Sequence, residues 1–532
     1  MLTPYTGIFG REEITHLLNR TLFGARKGDI DFFSTKTLAE TVDTLLAPSQ
    51  KAQSPTPPLK NYFNPNDNPD PEVLQGETWV NTFDNSLSNG RRKAAFKAWW
   101  VGLMLHQERD ILEKMVLFWH NHFPIDMDDR SAIMAYIYNR TLRQHALGNF
   151  KTFVKAITLD PMMLRYLNGA SNNTSAADEN YARELQELFT LGKSVNAQFT
   201  EEDVRAAARI LTGYQITIQT PTVPFEAVFN PLRHDATDKQ FSAFYNNTII
   251  KGRAGTEGVK ELDDLLEMIF KQPEVALFIC RKIYRFFIYH KIDDTVEKDV
   301  IQPLATLFRS KNYEIKPVLA ALFTSSHFFE PRFRGCMIKS PIDYVVGLGR
   351  TFDIQLPTIK ADNFSSVVDT YAAWYSFHVF DTNGAAAQRQ NLADPPSVAG
   401  WSAYYQEPNY YRLWLDTDTY PKRIRFAATL LNKVWYFAYI NPLTFTAQFA
   451  SANDADKLIE DTLKILVQVP VSQAFTQQLK QLLLSGQTND YYWTEAWQRY
   501  KNDPTATNTT VVETRLKALY QAIILKPEFQ LM

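Results

Sequence analysis

With 532 residues, of which 45% are hydrophobic and 21% charged, the chain is long enough to bury a large core, which excludes an intrinsically disordered protein. A net charge of −2 without a basic block argues against a nucleic-acid partner or an anionic membrane surface. The two cysteines cannot form a disulfide framework or a four-cysteine zinc site.

The sequence shows no recognisable targeting signal. The N-terminus has no basic start followed by an apolar run and a cleavage site, and no stretch reaches about 18 consecutive apolar residues. We therefore expect a cytoplasmic protein with no transmembrane segment.

Helical periodicity dominates the first part of the chain. Ile14, Leu17 and Leu18 share one face of a predicted helix over 11–21. Further helices are predicted over 38–46, from 91, from 110, over 130–148 and over 150–156. Residues 48–75 contain PTPP and NPNDNPDPE, and such segments predict a long loop that is either mobile or functional.

The helix predicted from 110 leads into the motif FWHNHF. Asp110 and Glu113 have the spacing of a capping box at its start. Pro124 disfavours α geometry at the preceding residue, so His120 and His122 are predicted in the last turn or just beyond it. Residues two apart point about 200° from each other in a helix but the same way in an extended exit.

A central helix is predicted over 178–192, DENYARELQELFTLG. Its apolar residues follow one stripe, and the opposite face carries Asn180, Arg183, Glu184 and Glu187. Two carboxylates three residues apart point the same way, close enough to share a cation or an arginine. This geometry is typical of both metal sites and structural ion-pair networks.

The next segment, FTEEDVRAAARILTGY, predicts a second helix that begins with a capping box of Thr200 and Asp203 and ends at Gly213. From there, YQITIQ and FEAVFNP alternate around a proline-rich turn. Alternation of this kind predicts a β-hairpin, whose end brings RHDATDKQF to the surface.

The remainder is predicted to be helical around a second long loop over 358–400. Helices are predicted over 257–270, 274–289, 299–310, 316–324, 341–351, 421–435, 455–466, 471–485 and 513–525. The fold class is therefore mainly α, a large multi-helical body with a small β-hairpin insertion and two long loops. Its segments, expected to form one compact domain, are 1–213, 214–255, 256–352, 353–400 and 401–532.

Several motifs together resemble one bacterial family, the domain-of-unknown-function family 1800. They are FWHNHF, ENYARELQELFTLG, FTEEDVRAAARILTGY, a His-Asp pair followed by Lys239, RKIYRFF, KSP at 339–341 and PPSVAGW. The resemblance extends over nearly the whole chain, and it implies no particular activity. It does imply a sulfatase- or phosphatase-like companion protein, and export from the cytoplasm, since many members are exported.

The chain departs from that family pattern in three places. It lacks a signal sequence, has Asp178 where the helix motif commonly begins with asparagine, and has no glycine shortly after Lys239. The missing signal favours the cytoplasm, with export alongside a signal-bearing partner as the alternative.

Imidazole and carboxylate groups could form a metal centre. The candidate ligands are His120, His122, Glu184, Glu187 and His234, a set that suits zinc, manganese or iron. The alternative for the glutamates is an ion-pair network with Arg183, Arg205 and Arg209. The alternative for His120 and His122 is helix capping or packing.

These residues support two hypotheses. The first is a metal-assisted hydrolase of unknown substrate, with Glu184, Glu187, His234 and Asp235 as catalytic residues and Arg183, Lys239 and Trp401 binding the substrate. The second is a non-catalytic assembly or carbohydrate-associated module that acts with the companion protein through aromatic loops around Trp401. Adjacent positions on one helix argue against Glu184 and Glu187 as a glycosidase pair.

Overall fold

The computed structural model describes residues 2–63, 70–128, 130–220, 223–379, 382–434 and 438–532. Parts of four predictions lie outside the described residues, namely 64–69 of the loop 48–75, 221–222 of the hairpin turn, 380–381 of the loop 358–400 and 435 of the helix 421–435.

Eleven α-helices precede the β-hairpin in the described ranges. They are α1 (Arg11–Thr21), α2 (Lys27–Phe33), α3 (Leu38–Leu45), α4 (Gln50–Gln53), α5 (Ser86–Leu105), α6 (Leu112–His122), α7 (Ala132–His145), α8 (Phe150–Thr158), α9 (Pro161–Tyr166), α10 (Asn180–Glu184) and α11 (Glu201–Ile210).

Further helices follow the hairpin. They are α12 (Lys260–Phe270), α13 (Pro273–Phe287), α14 (Asp294–Val296), α15 (Gln302–Ser310), α16 (Ile315–Phe323), α17 (Pro341–Thr351), α18 (Phe364–Val379), α19 (Thr419–Leu431), α20 (Pro442–Thr446), α21 (Ala455–Leu466), α22 (Gln473–Leu484), α23 (Tyr491–Asn502) and α24 (Ala506–Ile524). The fold is mainly α, as predicted.

Four short strands form two small antiparallel sheets. The predicted hairpin is confirmed, with β1 (Tyr214–Ile216) paired to β2 (Ala227–Phe229). A second sheet, which the sequence pattern does not predict, pairs β3 (Lys239–Gln240) with β4 (Ile249–Ile250). Strands of two residues are too short for alternation to be visible in the sequence.

One predicted capping box is confirmed and the other is wrong. The Thr200 side chain accepts from Asp203 N at the start of α11, and the Asp203 side chain accepts from Thr200 N. Helix α6 instead begins at Leu112, whose N–H donates to Asp110 Oδ1 at 2.9 Å. Glu113 is drawn away from the helix end because it forms a buried ion pair with Arg143.

Seven helices in the described ranges were not predicted, of which five are short (α2, α4, α9, α14 and α20) and two are long (α18 and α23). Helix α18 lies within the segment expected to be a loop, and it packs along α5. Apolar side chains surround α18 instead of following one stripe, so its periodicity is weak. Helix α23 was also missed, although its buried Trp493 and Trp497 lie one turn apart on a single face.

Buried apolar side chains from Ile14 in α1 to the C-terminal Met532 form one connected hydrophobic cluster. Among helices in the described ranges, none combines the length and the apolar character that a membrane span requires.

Candidate functional site

The central helix changes its winding between the two predicted carboxylates. Helix α10 ends at Glu184 and continues as a π-helical turn over Leu185–Thr190. Leu191 N donates to Gln186 O at 2.9 Å, the five-residue spacing of π winding. Isolated π turns inside helices occur frequently at functional sites.

Glu184 and Glu187 differ in environment. Glu184 is half-buried, and its Oε2 atom is buried without a hydrogen-bond partner in the described part of the chain. Burial, followed by the nearby Glu187 carboxylate, raises the pKa of Glu184. Glu187 forms an ion pair with Lys193 at 2.6 Å. The pair therefore combines a half-buried carboxyl group whose pKa is raised with a carboxylate that is paired with a lysine.

Tyr166 lies beside this pair. Burial raises the pKa of its hydroxyl, with further contributions from the carboxylates of Asp126 and Glu184. Arg130 lies over the Tyr166 ring at 5.3 Å and pairs with Asp126 at 3.1 Å. We call Glu184, Glu187, Tyr166 and Asp126 the carboxylate site.

His122 forms a hydrogen bond with the backbone of the π turn. Its Nε2 donates to Phe189 O at 3.1 Å, and its Nδ1 accepts from Lys282 Nζ at 2.9 Å. Burial and the neighbouring Lys282 hold the pKa of His122 well below its ordinary value. Burial lowers the pKa of Lys282 to about 7, so this ammonium is easily neutralised. Neither imidazole nitrogen of His122 is left for a metal.

His120 is also neutral and fully engaged. Its Nε2 accepts from Ala393 N at 3.1 Å, and its Nδ1 donates to the Tyr138 hydroxyl at 3.3 Å. Burial, with a smaller contribution from Lys97, lowers the pKa of His120 to about 3. Because α6 extends through His122, the two histidines project in different directions, as expected for residues two apart in a helix.

His234 belongs to a separate buried cluster. Its Nδ1 lies 3.0 Å from Thr212 O and its Nε2 lies 3.1 Å from Glu261 Oε1. Glu261 also pairs with Lys239 at 2.5 Å, and the side chains of both are fully buried. Burial opposes ionisation of Glu261, but hydrogen bonds from His234 and Lys239 lower its pKa overall. Both nitrogens of His234 face oxygen acceptors, so no lone pair points to a metal.

The arginines near the central helix pair with carboxylates other than Glu184 and Glu187. Arg183 binds Glu201 at 2.6 Å and Glu179 at 3.1 Å. Arg209 binds Asp235 at 2.7 Å, and although burial opposes ionisation, hydrogen bonds from Arg209 and Thr237 lower the pKa of Asp235. Arg183 and Asp235 therefore have their charged groups satisfied within the protein.

The five predicted metal ligands do not converge. Within the described ranges, the one group of three acidic, histidine or cysteine residues whose ligand atoms lie within 4.8 Å of one another is Asp126, Asp128 and Asp394. It contains none of the five. Asp394 is paired with Lys97 at 2.5 Å and Asp126 with Arg130, so two of the three carboxylates are already paired with protein cations.

Two of the sequence motifs dock against each other at Trp401. Its side chain is 2% exposed and packs on His120, with ring centroids 5.3 Å apart. Trp401 N donates to Asn121 Oδ1 at 2.9 Å. The preceding Gly400 has φ +88°, and a Cβ there would come within 2.4 Å of Asn121 Oδ1. The tryptophan of PPSVAGW thus fastens its loop to the FWHNHF helix.

Sequence reasoning missed Glu261 and Lys282. Lys282 lies in the motif RKIYRFF, but the pattern there is that of an ordinary amphipathic helix, and nothing local points toward His122. Glu261 lies in a helix that was predicted correctly, yet its partners are 22 and 27 residues away in sequence.

These features define a mainly α protein whose π turn carries two partly buried carboxyl groups, with separate buried polar clusters around His122 and His234. A family model described as "Protein of unknown function (DUF1800)" matches residues 16–531. The chain therefore belongs to that family, as its motifs predicted. No curated protein and no solved structure gives a significant match.

Proposed function

We propose that the protein is a hydrolase in which Glu184 acts as general acid and Glu187 as general base. The observation that carries the proposal is the buried, unpartnered Glu184 Oε2 beside an ion-paired Glu187. Two carboxyl groups whose environments differ in this way are the usual basis for separating acid and base roles at neutral pH. Glu187 takes a proton from water, and Glu184 protonates the leaving group.

The placement of the two residues favours an acyl substrate, such as a carboxylic ester or amide. Both carboxyl groups project from the same short stretch of helix, so they approach a substrate from one side. Acyl hydrolysis passes through a tetrahedral intermediate, in which carboxyl groups on one side of the substrate can reach both the attacking water and the leaving group. Glycoside hydrolysis and in-line phosphoryl transfer place these groups on opposite sides of the reacting atom.

The histidines His120, His122 and His234 do not fit the metal-assisted form of this hypothesis, because their nitrogens are engaged within the protein. A divalent metal could enter the proposal only through the oxygens of Glu184 and Glu187. Such a donor set favours manganese among zinc, manganese and iron. The acid and base roles above require no metal.

The proposal is tested by assaying the full chain against p-nitrophenyl esters, anilides, phosphates, sulfates and glycosides, with and without added Mn²⁺. Glu184→Gln and Glu187→Gln should each lower the acyl hydrolysis rate by roughly 100-fold or more. Glu179→Gln, a surface glutamate of the same helix region paired with Arg183, is the matched control and should retain activity. Equal activity in all three variants would refute the assignment.

A second candidate, a non-catalytic module that acts with a sulfatase- or phosphatase-like companion, is favoured by an exposed apolar surface. Leu87 is 78% exposed and Ile218 in the hairpin 88% exposed. Gln219 binds Thr82 O at 3.0 Å and accepts from Asp84 N at 2.8 Å, which holds the hairpin against the start of α5. Exposed apolar groups held together in this way are typical of interaction surfaces. Trp401 is buried and offers no such surface.

Co-expression with the companion protein distinguishes the two candidates. If the module is correct, Ile218→Asp and Leu87→Asp should abolish co-purification. Val195→Asp, at a site that is 86% exposed on another loop, should leave it unchanged. Co-purification that resists all three substitutions would exclude this surface.

A further inference from the structure

A large cavity lies far in sequence from the carboxylate site, between the proline-rich segment at 55–59, the C-terminal half of α5 and helix α18. Its volume is about 460 Å³. Cavities of about 300–1,000 Å³ lined by apolar and aromatic groups with a few polar groups are typical of small-molecule sites. The segment 55–59 belongs to the long loop whose role the proposed hydrolase leaves unexplained.

Aromatic side chains form one wall of the cavity, and hydrogen bonds tie the proline-rich segment to it. The Tyr371 and Trp374 rings have centroids 5.1 Å apart. Trp99 Nε1 donates to Thr56 O at 2.7 Å, and Leu59 N donates to the Tyr371 hydroxyl at 2.7 Å. These hydrogen bonds therefore hold the proline-rich segment against the aromatic wall of the cavity.

Trp374 lies directly on α5. It faces Gly102, and a Cβ at that glycine would come within 2.5 Å of the indole. The absence of a side chain at Gly102 allows the indole to lie flat against the helix and to leave the cavity open. Gly90, on the same helix, has nothing within 4 Å of the equivalent position.

Two polar atoms in the lining have no internal partner. Trp374 Nε1 and Gln107 Oε1 are buried and make no hydrogen bond to any residue that the structure describes. Buried polar atoms without partners are uncommon in folded proteins and need an explanation such as a ligand or water. Both residues line the cavity, although the two atoms themselves are buried.

The polar end of the cavity is acidic. Glu108, Asp110 and Glu113 line it, against one lysine, Lys51. Glu113 is neutralised by Arg143. Asp110 is 4% exposed and has no ion-pair partner within the described ranges. A buried carboxylate without an ion-pair partner, lying beside aromatic rings, is complementary to a positive charge.

We propose that this cavity binds an organic cation with an apolar body, its ammonium group held by Trp99, Tyr371 and Trp374 and facing Asp110. The aromatic faces attract the cation through their quadrupoles, and the carboxylate of Asp110 supplies the counter-charge. An anionic ligand would be repelled by Asp110 and Glu108. A neutral ligand of the same shape would leave Asp110 uncompensated.

Calorimetric titration of the full chain with phenethylammonium, phenethyl alcohol and phenylacetate tests the charge preference directly. These probes share the aromatic body and differ in charge. The cation should bind roughly 10-fold more tightly than the alcohol, and the anion more weakly than either. Equal affinity for the cation and the alcohol, or no saturable binding of the cation, would overturn the proposal.

Two variants locate the site. Asp110→Asn should reduce the preference for the cation to about 3-fold or less while leaving the affinity for the alcohol unchanged. Gly102→Ala should weaken both probes because Trp374 must move into the cavity, whereas Gly90→Ala on the same helix should change neither. Should Gly102→Ala fail to fold, the Asp110→Asn selectivity decides the matter, and unchanged selectivity in that variant refutes the site.

Discussion

Replacing Asp110 by asparagine is expected to increase the free energy of unfolding at neutral pH. Burial raises the pKa of Asp110 from 3.8 to about 6, and the hydrogen bond from Leu112 N opposes this only in part. At about 1.36 kcal/mol per pKa unit, a difference of about two units corresponds to about 3 kcal/mol. Asparagine retains an oxygen to accept from Leu112 N, so the start of α6 keeps this contact.

The sign follows from proton binding in the folded and unfolded states. The folded protein holds the Asp110 proton more tightly, so the free energy of unfolding falls as the pH rises from about 4 to about 6 and is fully reduced above that range. The charges that act on Asp110 are Glu113 and Glu108, which raise its pKa, and Arg143, which lowers it. The asparagine variant lacks this pH-dependent loss.

Urea unfolding followed by circular dichroism, at several pH values between about 4 and 7, measures the effect. The stability difference between Asp110→Asn and the parent should grow from near zero at the lowest pH to about 3 kcal/mol at the highest. Asp263→Asn, in a surface ion pair with Lys155 at 2.5 Å, is the control and should show no such growth. A difference that does not depend on pH, or a loss of stability at pH 7, would refute the reasoning.

Three further substitutions test other parts of the structure. Gly400→Ala should destabilise the protein by more than about 3 kcal/mol in urea unfolding, since it combines left-handed strain with a clash against Asn121; Gly486→Ala, with φ +80° and open space, should cost only about 1 to 2 kcal/mol. Glu261→Gln should cost roughly 3 to 5 kcal/mol because Lys239 remains buried without its counter-ion, whereas exposed Glu257→Gln should leave the melting temperature nearly unchanged. Glu184→Gln should not lower the melting temperature at pH 7, because the substitution removes a negative charge that burial and Glu187 disfavour. Any stabilisation by the substitution should disappear as the pH falls below the raised pKa of Glu184, where the parent carboxyl group is protonated as well. A clear destabilisation by Glu184→Gln at pH 7 would instead indicate a structural ion pair.

Most helices of this protein could be predicted from local sequence. Helix α1 and the capping box of α11 follow from apolar spacing and cap chemistry, which act within a few residues. The family motifs were equally local, and the match over residues 16–531 confirmed them. Helix α18 escaped prediction because it is covered by neighbours on several sides, so its apolar residues show no stripe.

The composition of the candidate site was decided by tertiary structure. The sequence indicated that Glu184 and Glu187 share a helix face. Only the fold determines that one oxygen of Glu184 is buried without a hydrogen-bond partner among the described residues and that Glu187 forms an ion pair with Lys193. The fold likewise engages His122 with Phe189 and Lys282, which removes it from any ligand set. Local patterns determine which residues lie on one face of an element. Whether a polar group there is free or paired depends on residues distant in sequence, which burial brings within hydrogen-bonding distance.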